Sequence, residues 1–240
     1  MLCLAVFAFP HNFAFAEIHG TITGTTNYIW RMYSKSFNNP AIQGNLDYQH
    51  SSGLYLGVSA STFNFGPSEQ DEDVLFSNVA RTEISPYIGW SYKFADDWRV
   101  DLQYSRYFYD GKIFSLNGDY NEFYFFLHYK DLISFQASYI DDYYGQGKMG
   151  LFPEITGRYP ITDYLEISSS FGYAYLKESL AADYPYWNVG LTGRYKAVAL
   201  DLRYHDAREI YYLDSTGQTA GIDHPDTLET TVVLSLSVGF

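Results

Sequence analysis

The 240-residue sequence is poor in cysteine, in positive charge and in long apolar runs. Its one cysteine, Cys3, excludes a disulfide framework and any thiolate metal cluster. Fifteen Lys and Arg stand against 28 Asp and Glu, a formal net charge of −13, with no basic cluster. Such a chain repels phosphate, which argues against nucleic-acid binding. Beyond the extreme N-terminus there is no run of about 18 apolar residues, the minimum for a helical membrane span. No convincing amphipathic helix is present either. What the sequence has in quantity is aromatic residues: 20% of the chain, with 25 Tyr and 18 Phe. Disordered chains are poor in these side chains, so that class is excluded too.

Residues 1–16 read MLCLAVFAFPHNFAFA. An uncharged apolar stretch from Leu2 to Phe9 leads to Ala14-Phe15-Ala16, the small-x-small pattern of a secretory cleavage site. A positive n-region is missing, so the alternatives are an atypical signal, a start further upstream, or a buried N-terminal element. The expected division is a signal peptide over 1–16 and one domain over 17–240. Cleavage after Ala16 would remove Cys3 and leave an exported chain free of thiols, as suits an oxidising compartment.

From Glu17 onward the hydrophobic period is two. Val232, Leu234, Leu236, Val238 and Phe240 alternate with Val233, Ser235, Ser237 and Gly239. Trp98, Val100, Leu102 and Tyr104 alternate with Arg99, Asp101 and Gln103. About twelve such runs are expected, over 18–32, 40–50, 53–65, 79–94, 97–109, 119–130, 132–144, 149–160, 164–176, 184–196, 198–209 and 226–240. Tight turns fall at Ser51-Ser52, Ala95-Asp96, Asp131, Ile161 to Asp163 and Ala197. Longer polar connections cover 33–39, 66–78, 110–118, 145–148, 177–183 and 210–225. Short and long connections alternate throughout. An all-β, up-and-down antiparallel transmembrane β-barrel has this layout, with short turns at one end and long loops at the other. A Greek-key sandwich does not.

Alternation alone does not say which face looks inward. A cylinder of about twelve strands is wider than the eight-stranded barrels that side chains fill, so a polar lumen holding water suits it better than an apolar one. The polar face carries Arg31, Asp47, Arg99, Asp101, Glu154, Arg158, Glu166, Arg194, Asp201 and Arg203. An Arg or Lys at mid-bilayer costs roughly 2–4 kcal/mol, and a one-residue slip would put several there. These residues are therefore the expected pore lining, setting a transverse field if acid and base rows face each other. The competing arrangement is that they pair and plug the bore. Trp30, Trp90, Trp98, Trp187 and Phe240, with tyrosines such as Tyr107, Tyr109 and Tyr186, lie near run ends and are the expected aromatic girdles.

The stretch Thr25-Thr26-Asn27-Tyr28-Ile29-Trp30-Arg31, then Ser36, then Pro40-Ala41-Ile42-Gln43-Gly44-Asn45-Leu46-Asp47-Tyr48, resembles the TorF-type porin family of proteobacteria. So does Ser51-Ser52-Gly53-Leu54-Tyr55-Leu56-Gly57. The likeness is specific over 25–66 and looser beyond. That family opens with a strand ending in Tyr-x-x-Arg-Gly, whereas Met32 follows Arg31 here. The resemblance implies a small outer-membrane barrel acting as a channel, and it supplies no substrate and no catalytic residue. The terminal Phe240 resembles the C-terminal signature read by the barrel-assembly machinery of Gram-negative bacteria.

The expected function is passive diffusion of small hydrophilic solutes, with outer-membrane lipid and lipopolysaccharide as surroundings and no cofactor, metal or catalytic residue. The sequence permits a homo-oligomer, although no interface strip stands out from the lipid-facing residues. Two alternatives come from other classes. One is a barrel acting through its loops by recognition or surface enzymology, for which His205, Asp206, Asp223, His224 and Asp226 are the candidates. His128 has no serine motif beside it in sequence. The other is a soluble periplasmic barrel holding an apolar ligand. The acidic stretch Glu69–Asp73 reads as a solvated loop.

Overall fold

The computed structural model of the chain describes residues 17–62, 79–113, 116–180, 182–207, 211–213, 219–221 and 230–240. The leader 1–16 with Cys3, the acidic stretch Glu69–Asp73, and Asp223, His224 and Asp226 lie outside these residues.

Twelve strands form the wall: β1 (Glu17–Thr25), β2 (Ala41–Gln49), β3 (Leu54–Thr62), β4 (Thr82–Ala95), β5 (Trp98–Tyr109), β6 (Tyr120–Tyr129), β7 (Ile133–Ile140), β8 (Gly150–Thr162), β9 (Leu165–Ala174), β10 (Tyr184–Tyr195), β11 (Val198–Ala207) and β12 (Thr231–Gly239). Each pairs antiparallel with its sequence neighbours, and β1 pairs with β12 to close the barrel. Closure removes both sheet edges, so every strand has two partners. At the seam, Phe240 and Gly20 exchange two backbone hydrogen bonds of 2.9 Å. The Phe240 ring covers Gly20, where a Cβ would meet it at 2.4 Å.

The short connections gather at one end, called here the turn end. Lys130 and Asp131 both take positive φ there, 52° and 55°. That is the type I′ geometry whose twist matches the flanking strands. The strand ends that flank the longer connections, from Thr25 and Ala41 round to Ala207 and Thr231, lie at the opposite, loop end.

The pleat sorts the side chains. Ile84, Ile88, Trp90, Tyr92 and Phe94 of β4 are exposed on the outer wall, as are Leu200 and Leu202 of β11 and Val232, Leu234, Leu236 and Val238 of β12. The inward rows hold Ser85, Ser105, Ser134, Ser138, Thr156, Ser168 and Ser170, all buried. A soluble barrel has the reverse arrangement, so that alternative is not the fold observed. Bulk inside is supplied by tyrosines resting on cross-strand glycines. Gly57 pairs with Tyr87, Gly89 with Tyr55, and Gly172 with Tyr186. A Cβ at Gly172 would lie 2.3 Å from the Tyr186 ring, so glycine there lets the ring lie against the wall.

The first run departs from its expected extent. The strand ends at Thr25, not at residue 32, because local side chains capture the backbone. Thr25 Oγ1 donates to the Asn27 carbonyl at 2.9 Å, and Asn27 Oδ1 accepts from Ser34 and Ser36 at 2.7 and 3.1 Å. Residues 26–40 then turn into the barrel. Ile29–Trp30 pairs with Tyr33–Ser34 in a small hairpin. Arg31 and Met32 occupy its turn with φ of 52° and 68°, the second being where the resembling family has glycine. Tyr28, Trp30, Met32 and Tyr33 are all buried, and the first three pack in one cluster with Tyr120, Tyr143, Tyr144, Phe152 and Tyr184. The loop end of the lumen is therefore filled by aromatic rings.

Candidate functional site: the lumen

Two buried ion pairs hold the inward segment. The Arg31 guanidinium donates to Glu122 of β6 and to Ser138 of β7. It lies 4.0 Å from the Trp30 ring centre and 3.7 Å from that of Phe152. Tyr184 of β10 donates to the Arg31 carbonyl at 3.1 Å. Lys35 Nζ sits 2.6 Å from Glu83 Oε2 of β4. That carboxylate also accepts from Tyr109 at 2.6 Å and from Tyr28 at 3.0 Å. Lys35, Glu83 and Glu122 are almost wholly buried. Charges so placed persist only when paired and hydrogen-bonded, and removing one partner is costly.

Beside this plug, on the β8–β12 and β1–β2 side, lies a cavity of about 140 Å³. Arg31, Arg158, Arg194 and Arg203 reach it, as do Glu154, Glu166 and Asp201. Arg203 is the most engaged: it meets Asp201 at 2.9 Å, Asn188 at 2.8 Å and Ser168 at 2.9 Å. Arg194 lies 3.5 Å from Glu166. On the wall formed by β5, β6 and β7, Arg99 bridges Asp101 at 3.4 Å and Asp131 at 3.3 Å. Asp47 of β2 is half-buried on the inward row, opposite His19.

The inward parity thus gathers Asp47, Arg99, Asp101, Glu154, Arg158, Arg194, Asp201 and Arg203 in the lumen. Arg31 also points there, but from the inward hairpin and not from a strand. The aromatic expectation divides. Trp90, Trp98, Trp187 and Phe240 are exposed on the outer wall. Trp98 packs with Tyr129 at 4.9 Å and Trp187 with Tyr204 at 5.2 Å. Trp30 is corrected: it is 3% exposed inside the barrel, because it belongs to the hairpin and not to a strand end. Tyr107, Tyr109 and Tyr186 also point inward, by the parity of their strands.

Sequence reasoning missed Glu83 and Glu122, although both lie on the inward parity of their runs, and it missed Lys35. It also missed the partner of His128. Ser134, its cross-strand neighbour, lies 2.8 Å from Nδ1, and Asp101 lies 3.0 Å from Nε2. The order Ser–His–Asp is that of a hydrolase relay, but the setting differs. Ser134 is flanked by His128 and Thr156 in two complete ladders, which leaves no free backbone N–H for an oxyanion. Arg158 also donates to Ser134 at 3.1 Å. The row orders the wall. His205 of β11 reaches the cavity, while Asp206, next in the strand, accepts from Thr230 at 2.9 Å. Among the described residues no group of three or more His, Cys, Asp or Glu could hold a metal ion.

The sequence pattern of the Gcw_chp family, described as bacterial proteins of unknown function, matches residues 12–239. The chain belongs to that family. No curated protein matches this Gcw_chp member. Solved structures do resemble its barrel. The KdgM porin aligns with a TM-score of 0.55 at 11% identity, covering 92% of this chain and 99% of its own. The KdgM porin in complex with disordered oligogalacturonate aligns at 0.52 and 11%, covering 93% and 99%. The NanC porin aligns at 0.50 and 13%, covering 92% and 98%. At these identities the likeness is one of fold.

Proposed function

We propose that this protein is an outer-membrane, porin-like channel for passive diffusion of small hydrophilic solutes, narrowed by its own first loop. The observation that carries the reading is the cross-section: a closed apolar wall around a lumen lined by hydroxyls, amides and paired charges. An apolar wall of this extent matches a bilayer, and a polar interior matches water. The resemblance of residues 25–66 to TorF-type porins agrees with it. In this reading Asp47, Arg99, Asp101, Glu154, Arg158, Arg194, Asp201 and Arg203 line the path, and Arg31 stands at its constriction. Trp90, Trp98, Trp187 and Phe240 anchor the wall at the two interfaces, and the terminal strand is the segment presented to the assembly machinery. The protein supplies bore and field and performs no chemistry on the solute.

Planar-bilayer recording of the detergent-purified protein tests this. Stepwise single-channel currents are expected. Silence at every voltage overturns the reading. The protein should also stay with the outer membrane on fractionation, leave it only with detergent, and run differently on a gel before and after boiling.

A further inference from the structure

The strand cations Arg99, Arg158, Arg194 and Arg203 face the lumen. Arg106 does not. It shares the parity of Leu102, Tyr104 and Phe108 on β5, so it projects from the outer wall into the belt that those residues form. It lies eight positions along the strand from Trp98 at the turn end. At about 3.4 Å per residue and a tilt of about 40°, it stands roughly 20 Å above that ring, at the opposite edge of a belt about 25 Å tall. Among the described residues its one hydrogen bond is to a neutral acceptor, Asn121 Oδ1 of β6, at 3.1 Å. The same oxygen accepts from Tyr104 at 2.7 Å. The guanidinium carbon lies 5.4 Å from the Phe108 ring centre. Among the described residues it forms no ion pair. A guanidinium presents five donors in a planar fork suited to phosphate, so most of this fork is free to face the membrane.

Directly toward the turn end the wall carries a shallow, open depression. A groove of about 600 Å³ runs over β3–β8, with Leu102, Tyr104, Phe123, Ala137 and Leu151 in its lining. Its floor includes the small side chain of Ala137 between larger neighbours on the outer wall. Tyr104 belongs to both features: its ring lines the groove and its hydroxyl joins the Asn121–Arg106 pair. A cation without an acid partner at the belt edge, continuous with an apolar trough below it, has the shape of an anionic headgroup followed by a hydrocarbon chain.

We propose that Arg106, Asn121 and Tyr104, with the groove beneath them, form a seat for one phosphorylated glycolipid of the outer leaflet, of the lipid A type. Its phosphate pairs with Arg106 and one acyl chain lies in the groove. The inference rests on the outer-membrane reading, because it is the long loops that place Arg106 on the outer side.

Native mass spectrometry of the intact protein tests it. The protein is extracted in mild detergent and titrated with bisphosphorylated lipid A, dephosphorylated lipid A or inorganic phosphate. One tightly retained bisphosphorylated lipid is expected, with at least tenfold weaker retention of the dephosphorylated form. Arg106→Gln should lose the preference for phosphate. Ala137→Trp, which fills the groove and leaves Arg106 in place, should weaken retention of the lipid. Heat-modifiable gel mobility confirms that both variants remain folded. Equal retention by wild type and both variants overturns the proposal, as does equal binding of the two lipid forms. Inorganic phosphate competing as well as the lipid would reduce the site to a simple anion contact and overturn it too. Conductance in lipid A-free bilayers is read in parallel. Currents without lipid retention would leave the channel reading standing and remove only the seat.

Discussion

Met32 shows two residue-scale effects opposing each other. Its φ of 68° lies in the left-handed region, where a side chain costs roughly 1–2 kcal/mol. Yet the side chain is 2% exposed within the aromatic plug, and truncating a buried methionine costs roughly 2–5 kcal/mol. Burial therefore outweighs strain. Met32→Gly, which restores the residue of the resembling family, should relax the turn and still loosen the plug by about 1–3 kcal/mol. Limited proteolysis within 26–40 should be several-fold faster in that variant, and an unchanged rate would show that Met32 contributes no packing. Asp110, just beyond β5, gives a pH dependence. Partial desolvation pushes its carboxyl up, but the backbone N–H groups of Arg81 and Thr82 donate to it at 2.6 and 2.9 Å and bring it below the ordinary range. A carboxylate lowered on folding stabilises above its unfolded value of about 4, and that contribution is lost as pH falls through the folded value. Amide exchange at Arg81 and Thr82, compared between wild type and Asp110→Ala at each pH, should differ at neutrality and converge in acid.

At the scale of elements, the strands were readable and the inward hairpin was not. Each of the twelve runs overlaps one wall strand, with ends that differ by up to a few residues beyond the first run, because a two-residue period bounded by turns is a local signal. The docking of 26–40 depends on partners far away in sequence: Arg31 meets Glu122, 91 residues on, and Lys35 meets Glu83, 48 residues on. No local pattern encodes such pairs. For the same reason Trp30 resembled a girdle residue, since an aromatic at a run end looks alike whether the chain continues outward or folds back. The polar set Asn27, Ser34, Ser36 and Asn38 was the visible hint that the strand stops early. If Arg31–Glu122 holds the hairpin in the bore, Arg31→Ala leaves a buried carboxylate unpaired, a loss of roughly 3–5 kcal/mol. Its single-channel conductance should rise well above wild type. Arg31→Met combined with Glu122→Leu removes both charges and keeps bulk, so it should return conductance toward wild type. If the single variant conducts like wild type, the hairpin is not the constriction.

At the scale of the whole molecule, one rule relates wall and lumen: alternation around a closed ring commits every second residue to the outer wall and every other to the lumen. That rule makes parity a reading of function. By parity Arg99, Arg158, Arg194 and Arg203 face inward, and Arg106 is informative because it breaks the rule on the outer face. The cavity carries little net charge: four arginines, Arg31, Arg158, Arg194 and Arg203, stand against three carboxylates, Glu154, Glu166 and Asp201. A small surplus decides selectivity in a narrow, low-dielectric bore, where each charge acts more strongly than in open water. Arg194→Gln with Arg203→Gln leaves two cations against the same three carboxylates while glutamine keeps a donor for Ser168 and Asn188. The reversal potential across a potassium chloride gradient should then move toward cation preference. Arg194→Lys with Arg203→Lys keeps the charge and changes the geometry, so it should stay near wild type. If the glutamine pair left the reversal potential where it was, ions would be passing by a route that these arginines do not line.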